Sequence, residues 1–214
     1  MTALPKLRWM ALPIAVGLGV INLSLEPAAV PDASIKTFTE WCEERAELPP
    51  ETAHTVDQLL LLTGTKDCVA ADALISQQET LILERLELQD LRPLSAFTQV
   101  TWLSLAVNDI EDITPLQSLT NLEYLFLDSN NIADLQPLAT LTNLKTLSLY
   151  DNDIADLSPI TALTELGTLS IYYNRISDLS PLVELDNLAS LAAFNNQITA
   201  LSPLQTLISF GILL

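Results

Sequence analysis

Residues Leu119–Thr140, LTNLEYLFLDSNNIADLQPLAT, contain the unit from which most of this chain is built. The unit recurs with variation every 22 residues, from about Ile75 to the C-terminus. A fixed period of this length is typical of a solenoid, in which each repeat forms one turn and covers the hydrophobic face of its neighbour. We therefore predict that residues 75–214 form an α/β solenoid of about six turns and a truncated one.

The first half of each repeat has the pattern of a short strand. Leu125 and Leu127 alternate with Tyr124, Phe126 and Asp128, and a period of two indicates a strand with one buried face. Because one strand is expected per turn, the strands should lie side by side and run in the same direction. We predict one parallel sheet with strands centred near positions 81, 103, 125, 147, 169, 191 and 213.

An asparagine follows each predicted strand, at the point where the chain must turn away. Its amide both donates and accepts hydrogen bonds, so it can satisfy backbone groups of its own turn and of the neighbouring turn. Leu86 occupies this position in the first repeat, so the ladder should begin one turn later. The predicted buried ladder consists of Asn108, Asn130, Asn152, Asn174 and Asn196.

Proline and aspartate recur on the return side of the repeat. Proline lacks an N–H group and disfavours helix before it, and 22 residues leave no room for a long helix. The return side is therefore predicted to be extended or 3₁₀-helical, with prolines at 93, 115, 137, 159, 181 and 203. Aspartates at 90, 112, 134, 156 and 178 are expected to accept backbone hydrogen bonds rather than to bind calcium.

These features resemble the internalin-type leucine-rich repeat of exported bacterial proteins. The resemblance rests on NLEYLFLDSNNIADLQPLATLT at residues 121–142 and covers about two thirds of the chain. It implies a right-handed horseshoe or arc whose concave parallel sheet binds protein. Residues 34–74, with WC, LPPET and TVDQLLLLTGTKDC, look like the N-terminal cap of such proteins, and this implies a helical cap. A cap is required because the end of a solenoid exposes leucines.

The predicted cap contains two helices and both cysteines of the chain. Helical spacing predicts an amphipathic helix over Ile35–Glu47, and a second helix is expected from about Glu51 to Leu62. In an exported chain, the pair Cys42 and Cys68 suggests a disulfide, and two buried free thiols are the alternative.

Residues 1–30 are predicted to be a signal peptide or an N-terminal anchor. Lys6 and Arg8 precede an apolar run from Trp9 to Leu25, as in a secretory signal. No clean small-residue cleavage site follows, and the run reaches the lower end of membrane-spanning length, so an uncleaved anchor is the alternative. Both interpretations predict an extracytoplasmic chain, whether periplasmic, secreted or anchored to the envelope.

Aromatic residues occupy many positions that should face solvent on the concave sheet. Such residues on a rigid surface are typical of binding hot spots, because each supplies a large contact area at low entropy cost. The alternative is that they pack on one another across strands and only stabilise the sheet. The candidate binding residues are Trp102, Tyr124, Phe126, Tyr150, Tyr172, Tyr173 and Phe194. Neighbouring positions predict a polar rim of Ser104, Asp128, Ser148, Asp151, Asp153, Ser170 and Arg175.

The net charge of −18 disfavours partners that are themselves negatively charged. From residue 75 onward there are four basic and 17 acidic side chains, which disfavours nucleic acid and anionic membrane surfaces. Membrane contact is expected only through the N-terminal segment, if that segment is not cleaved. A basic protein partner would be attracted, although solubility alone is a simpler reason for the charge.

The sequence predicts neither an enzyme nor a metal or cofactor site. His54 is the only histidine, and the chain lacks a G-x-S-x-G elbow, a phosphate-binding glycine loop and metal-type Cys/His spacing. We therefore expect a non-catalytic scaffold that binds a protein through its concave aromatic face. The alternative is an envelope-anchored or self-associating module, or a truncated gene product, because Leu207–Leu214 end within a strand and no cap follows.

Overall fold

The structure is a computed structural model that describes residues 36–206 and 211–213. The signal peptide or anchor predicted at residues 1–30 lies outside the described residues, and so does most of the predicted C-terminal edge. Within the described part, no helix is both long enough and apolar enough to cross a membrane.

Seven short strands form one parallel sheet and lie in the order of the sequence. Their bounds are β1 Thr80–Ile82, β2 Trp102–Ser104, β3 Tyr124–Phe126, β4 Thr146–Ser148, β5 Thr168–Ser170, β6 Ser190–Ala192 and β7 Gly211–Leu213. The central leucines of β1 to β6 pair in register at steps of 22 residues, which confirms the predicted solenoid. The last strand differs from the prediction, because Leu191 pairs with Ile212 and this step is one residue shorter.

Each turn contributes a row of apolar side chains to one continuous core. In the turn 119–140, Leu125 of β3, Leu127 just after it and Ile132 of the return segment are all fully buried. Burial of one such side chain stabilises the fold by roughly 1.5–3 kcal/mol, but only when the next turn covers it. The stability of each turn therefore depends on its neighbours.

Five-residue 3₁₀-helices line the side opposite the sheet, as the sequence predicts. They span Arg92–Ala96, Thr114–Ser118, Gln136–Thr140, Ser158–Ala162, Ser180–Glu184 and Ser202–Thr206. Proline is the second residue of each, a position in the first turn where its missing N–H is tolerated.

The recurring aspartates accept hydrogen bonds at the starts of these 3₁₀-helices. Asp134 Oδ1 accepts from the backbone N–H of Gln136 at 2.8 Å, and the other four make the same contact. This is the role that the sequence predicts for them. Within residues 36–206 and 211–213, no group of three or more His, Cys, Asp or Glu side chains could hold a metal ion.

The side chain of the asparagine after each strand joins its own turn to the preceding turn. Asn152 Oδ1 accepts from the N–H of Ile132 at 3.0 Å, and Nδ2 donates to the carbonyls of Leu127 at 3.0 Å and Leu149 at 3.2 Å. Asn108, Asn130 and Asn174 are equally buried and make equivalent bonds, whereas Asn196 makes them in a partly exposed position.

The cap contains three α-helices rather than two. The segment predicted as one helix over Ile35–Glu47 is divided into α1, Phe38–Glu43, and a 3₁₀-helix, Arg45–Glu47. Its start is fixed by a capping box, in which Thr37 and Glu40 bond each other's backbone N–H groups. The break follows because Glu44 leaves helical geometry at the end of α1.

The second and third cap helices follow without long connections. The second, α2, spans Pro50–Thr63 and ends at Gly64, whose φ of 69° gives the left-handed geometry of a helix stop. The third, α3, spans Cys68–Ile75 and is absent from the sequence prediction. Its start is marked by Asp67, whose side chain accepts from the N–H of Ala70 at 3.0 Å.

The cap supplies polar groups that the first turn lacks. Leu86 stands in the asparagine position, and its carbonyl lies 2.6 Å from Nε2 of His54 in α2. Thr55 in the same helix donates to the carbonyl of Asp90 at 2.7 Å. The predicted disulfide, Cys42–Cys68, is present and joins α1 to α3. The cap therefore seals the first turn with both apolar and hydrogen-bonding contacts.

Candidate functional site

Three columns of side chains project from the concave face of the sheet. The first and third residues of each strand form two columns, and the residue two positions after the strand forms the third. Neighbouring parallel strands lie about 4.8 Å apart, so side chains in one column are at stacking distance. Six of the seven aromatic residues predicted from the sequence lie in these columns, and the ring of Tyr173, the next residue after Tyr172, contacts Tyr172 and Phe194.

Three of the rings form one cluster on β2 and β3, which we call the indole cluster: Trp102, Tyr124 and Phe126. Trp102 pairs with Tyr124 in the strand register, and their ring centroids lie 4.7 Å apart with an interplanar angle of 28°. The Phe126 ring lies 5.2 Å from that of Trp102. Tyr124 and Phe126 are half-buried, whereas Trp102 is 38% exposed.

The other four rings form a second cluster, which we call the tyrosine column: Tyr150, Tyr172, Phe194 and Tyr173. Tyr172 stacks between Tyr150 at 4.5 Å and Phe194 at 4.4 Å, with interplanar angles of 4° and 14°. Tyr173 meets Tyr172 edge-on at 5.6 Å and is 54% exposed. Tyr150 and Tyr172 are half-buried, and Phe194 is 38% exposed.

The ring contacts are those of the alternative interpretation, whereas binding by these rings stays a prediction. The rings pack on one another across strands, as expected for aromatic pairs that stabilise a sheet. None of the seven belongs to the buried core, because four are half-buried and three are exposed. A preformed aromatic surface of this kind can bury large apolar area against a partner with little loss of side-chain entropy.

Part of the predicted polar rim is wrong. Ser104, Ser148 and Asp128 are only 4%, 9% and 6% exposed. They are covered because a carboxylate of one turn reaches the hydroxyl on the next strand: Ser104 donates to Glu84 at 2.5 Å, and Ser148 donates to Asp128. Alternation within one strand cannot predict such coverage.

The rest of the predicted rim remains accessible. Asp151 and Arg175 are exposed, and Asp153 and Ser170 are half-buried. The guanidinium of Arg175 forms an ion pair with Asp153 of the preceding turn. An exposed ion pair of this kind contributes at most about 1 kcal/mol to the stability of the fold.

Asp128 has the most unusual environment on this face. Its Oδ1 accepts from the Ser148 hydroxyl and from the N–H of Tyr150 at 3.1 Å. Burial raises the pKa of its carboxyl above the ordinary value, against the opposing effect of these two hydrogen bonds. Asp128 lines a concavity of about 360 Å³, which we call the acidic concavity, together with Glu84, Trp102, Phe126 and Tyr150.

The raised pKa of Asp128 leads to a testable pH dependence. The folded chain binds this proton more tightly than the unfolded chain, so stability falls as pH rises from the unfolded pKa through the folded pKa. Asparagine can keep both hydrogen bonds through its oxygen and has no proton to lose. We expect Asp128→Asn to be more stable than wild type in urea at pH 7 and to lose this advantage below about pH 4.

Two denaturation series, at neutral and at acid pH, measure this effect. Each compares Asp128→Asn with wild type at the same pH, so changes that acid causes elsewhere in the chain cancel. The contrary result is a stability difference between Asp128→Asn and wild type that increases as the pH is lowered. It would show that the surroundings stabilise the Asp128 carboxylate.

A second set of asparagines was missed by the sequence analysis. These residues lie three positions before the start of a strand: Asn121, Asn143 and Asn187. They are exposed, so they do not belong to the buried ladder. Their Nδ2 groups donate to carbonyls of the preceding turn, as in the 2.9 Å bond from Asn143 to Thr120. The signal that could have revealed them is the recurrence of Asn before Leu at 22-residue steps in the same register.

Comparisons with known proteins agree with this architecture. The sequence family described as Leucine Rich repeats (2 copies) matches residues 98–140 and residues 142–184. The crystal structure of internalin C2 from Listeria monocytogenes is similar at 31% sequence identity, with a TM-score of 0.52. That similarity covers 73% of this chain and 90% of the internalin.

A more distant similarity links the chain to a leucine-rich repeat protein of Leptospira interrogans. The identity is 25% and the TM-score is 0.55, and the match covers 59% of this chain. Because it covers 34% of the other protein, this chain corresponds to about a third of that protein's length. No curated protein sequence is significantly similar to this chain.

Proposed function

This chain belongs to the internalin-like leucine-rich repeat proteins, and from that membership we propose that it binds another protein through the concave face of its sheet. Leucine-rich repeat scaffolds are typically surfaces for protein–protein interaction. The proposed site consists of the indole cluster and the tyrosine column.

The stacking of rings across successive turns is the observation that carries the proposal. In the tyrosine column, three rings on three successive turns are held within 4.5 Å of the next ring. A ring already fixed by its neighbours loses little further freedom when a partner covers it, so more of the contact energy appears as affinity. The rings extend over several strands, which suits a protein partner better than a small substrate.

The proposal extends to mechanism and to location. The binding is non-catalytic, and the rigid face is complementary to its partner before contact. The chain acts outside the cytoplasm, which the Cys42–Cys68 disulfide supports because such bonds persist in oxidising compartments. The acidic repeat region favours a partner with basic groups over nucleic acid.

Truncation of the central ring of the tyrosine column tests the proposal. Tyr172→Ala removes a ring that stacks on both Tyr150 and Phe194, so it should weaken binding by about 1–3 kcal/mol, or roughly 5- to 150-fold in Kd. The measurement is calorimetric titration of the full chain with a partner recovered by using that chain as bait. Circular dichroism establishes that the variant remains folded.

Val183→Ala is the matched control. Val183 is 38% exposed and lies on the 3₁₀-helix Ser180–Glu184, opposite the sheet, so its truncation should change Kd less than about twofold. Equal losses of affinity in the two variants, or an unchanged affinity in Tyr172→Ala, would show that the concave face is not the binding site.

Self-association through the C-terminal edge remains the second prediction, and most residues of that edge lie outside the described structure. Light scattering of the full chain distinguishes the two functions. A concentration-independent monomer is expected if the chain acts as a receptor for a different protein, whereas a defined dimer supports the self-associating module.

A further inference from the structure

The acidic concavity combines two carboxylates with ring faces at one place on the sheet. Glu84 and Asp128 lie on its wall with Trp102, Phe126 and Tyr150, and its volume is about 360 Å³. Glu84 and Asp128 occupy the same column two turns apart, so they approach the concavity from opposite sides. Only one basic residue, Arg85, is among its lining residues.

Asp128 is buried there without a cation. Its residue is 6% exposed, and Oδ1 receives the hydrogen bonds from Ser148 and Tyr150. Among the residues that the structure describes, none donates a hydrogen bond to Oδ2. Burial of a carboxylate without a cation is unfavourable, which is why its pKa is raised.

The solenoid itself does not require a carboxylate at this position. In four turns the equivalent residue is Ala106, Tyr150, Tyr172 or Phe194, and those turns have the same strand. In the first turn it is Glu84, which accepts a hydrogen bond from Ser104 as Asp128 accepts one from Ser148. Each carboxylate therefore accepts from a serine of the next strand, but neither forms an ion pair in the described part of the chain. A buried carboxylate whose charge is not balanced by a cation is a candidate for binding.

The other charged groups at the concavity leave its negative charge unbalanced. Glu84 accepts one hydrogen bond, from Ser104 at 2.5 Å. The ion pairs in the described part of the chain do not include Glu84, Arg85 or Asp128. Two carboxylates thus face the concavity against the single guanidinium of Arg85.

We propose that the acidic concavity receives an arginine side chain from the protein partner. A guanidinium is planar, so it stacks on the exposed ring of Trp102 while its N–H groups donate to Asp128 and Glu84. The rest of the partner lies across the tyrosine column. This assignment rests on the proposed function, because it names the chemistry that the concave face recognises.

Selection of peptides from a random library tests the assignment directly. The full chain is immobilised and random displayed peptides are selected on it, and the enriched sequences are then synthesised. We expect arginine at a fixed position in the peptides that the wild-type chain enriches. Replacement of that arginine by glutamine should weaken binding to wild type about tenfold or more, because it leaves a buried carboxylate unpaired.

Three variants of the chain locate the contact. Asp128→Asn should weaken the binding of arginine-containing peptides about tenfold or more. Replacement of the peptide arginine by glutamine should then have little further effect on binding to this variant. Asp151→Asn removes the same charge from an exposed residue that does not line the concavity, so it should change Kd less than about threefold. Arg85→Gln should strengthen binding about two- to fivefold, because it removes a competing cation.

The outcomes separate this inference from the proposed function. Peptides that depend on Tyr172 but not on Asp128 would overturn the arginine site and leave the binding face intact. Enrichment of lysine in preference to arginine, or equal effects of Asp128→Asn and Asp151→Asn, would also overturn it. The urea denaturation of Asp128→Asn at pH 7 distinguishes loss of arginine recognition from unfolding, and it is expected to show a variant at least as stable as wild type.

Discussion

Asn152→Ala is expected to lower the free energy of unfolding by about 3 kcal/mol or more. The amide of Asn152 accepts from the N–H of Ile132 and donates to the carbonyls of Leu127 and Leu149. Alanine leaves these groups without partners in an interior where Asn152 is 9% exposed. Each buried unsatisfied group costs about 1–3 kcal/mol, and here the groups belong to successive turns.

Asn143→Ala is the matched control for the ladder. Asn143 is also an asparagine that bridges two turns, but it is exposed and makes one such bond, to Thr120 at 2.9 Å. Water can replace that bond, so the expected loss is below about 1 kcal/mol. Urea denaturation of both variants measures the difference. Equal losses would mean that burial of the ladder contributes nothing to its effect.

Removal of the disulfide is expected to destabilise the cap by about 3–4 kcal/mol. The bond joins Cys42 and Cys68 across 26 residues, and closure of a loop of this length restricts the unfolded chain by about that amount in the chain-entropy model. The cap also packs against the start of the solenoid, where Phe38 of α1 meets Phe97 at 5.6 Å between ring centroids. Loosening the cap therefore exposes the leucines beneath it.

The double variant Cys42→Ala, Cys68→Ala separates the bond from other effects. The urea midpoint of the double variant should fall to that of wild type treated with dithiothreitol. Addition of dithiothreitol should not change the midpoint of the double variant. A double variant as stable as the oxidised wild type, or one that still responds to reductant, would show that the disulfide does not hold the cap.

Most of the repeat could be predicted from the sequence because its contacts are local and recur at one spacing. The leucine centres of β1 to β6, the asparagine ladder and the aspartates that cap the 3₁₀-helices all follow from the 22-residue period. The error in strand register concerns a single irregular step, the shorter one from Leu191 to Ile212.

The site could be predicted only in part. Alternation along one strand, together with the residues just after it, predicts that the seven rings face the concave surface. It cannot show that Asp128 reaches across to Ser148 and buries both, because that contact joins residues 20 positions apart on different turns. Ring stacking and the acidic concavity likewise depend on how adjacent turns align.

The cap was predicted least well, because no repeat reinforces its weak local signals. The third helix, Cys68–Ile75, contains no polar alternation that marks a buried face, and eight residues give a short pattern. The contact of His54 with the Leu86 carbonyl is also invisible to local pattern, since it joins residues 32 positions apart in the chain.

Site-specific photo-cross-linking locates the binding surface independently of any affinity change. A photoreactive benzoylphenylalanine is placed at position 172 in one version of the full chain and at position 183 in another, and each is irradiated with the recovered partner. If the concave face binds protein, only the version altered at Tyr172 should form a cross-linked complex. Cross-links from the position of Val183, with none from that of Tyr172, would place the partner on the opposite side of the solenoid.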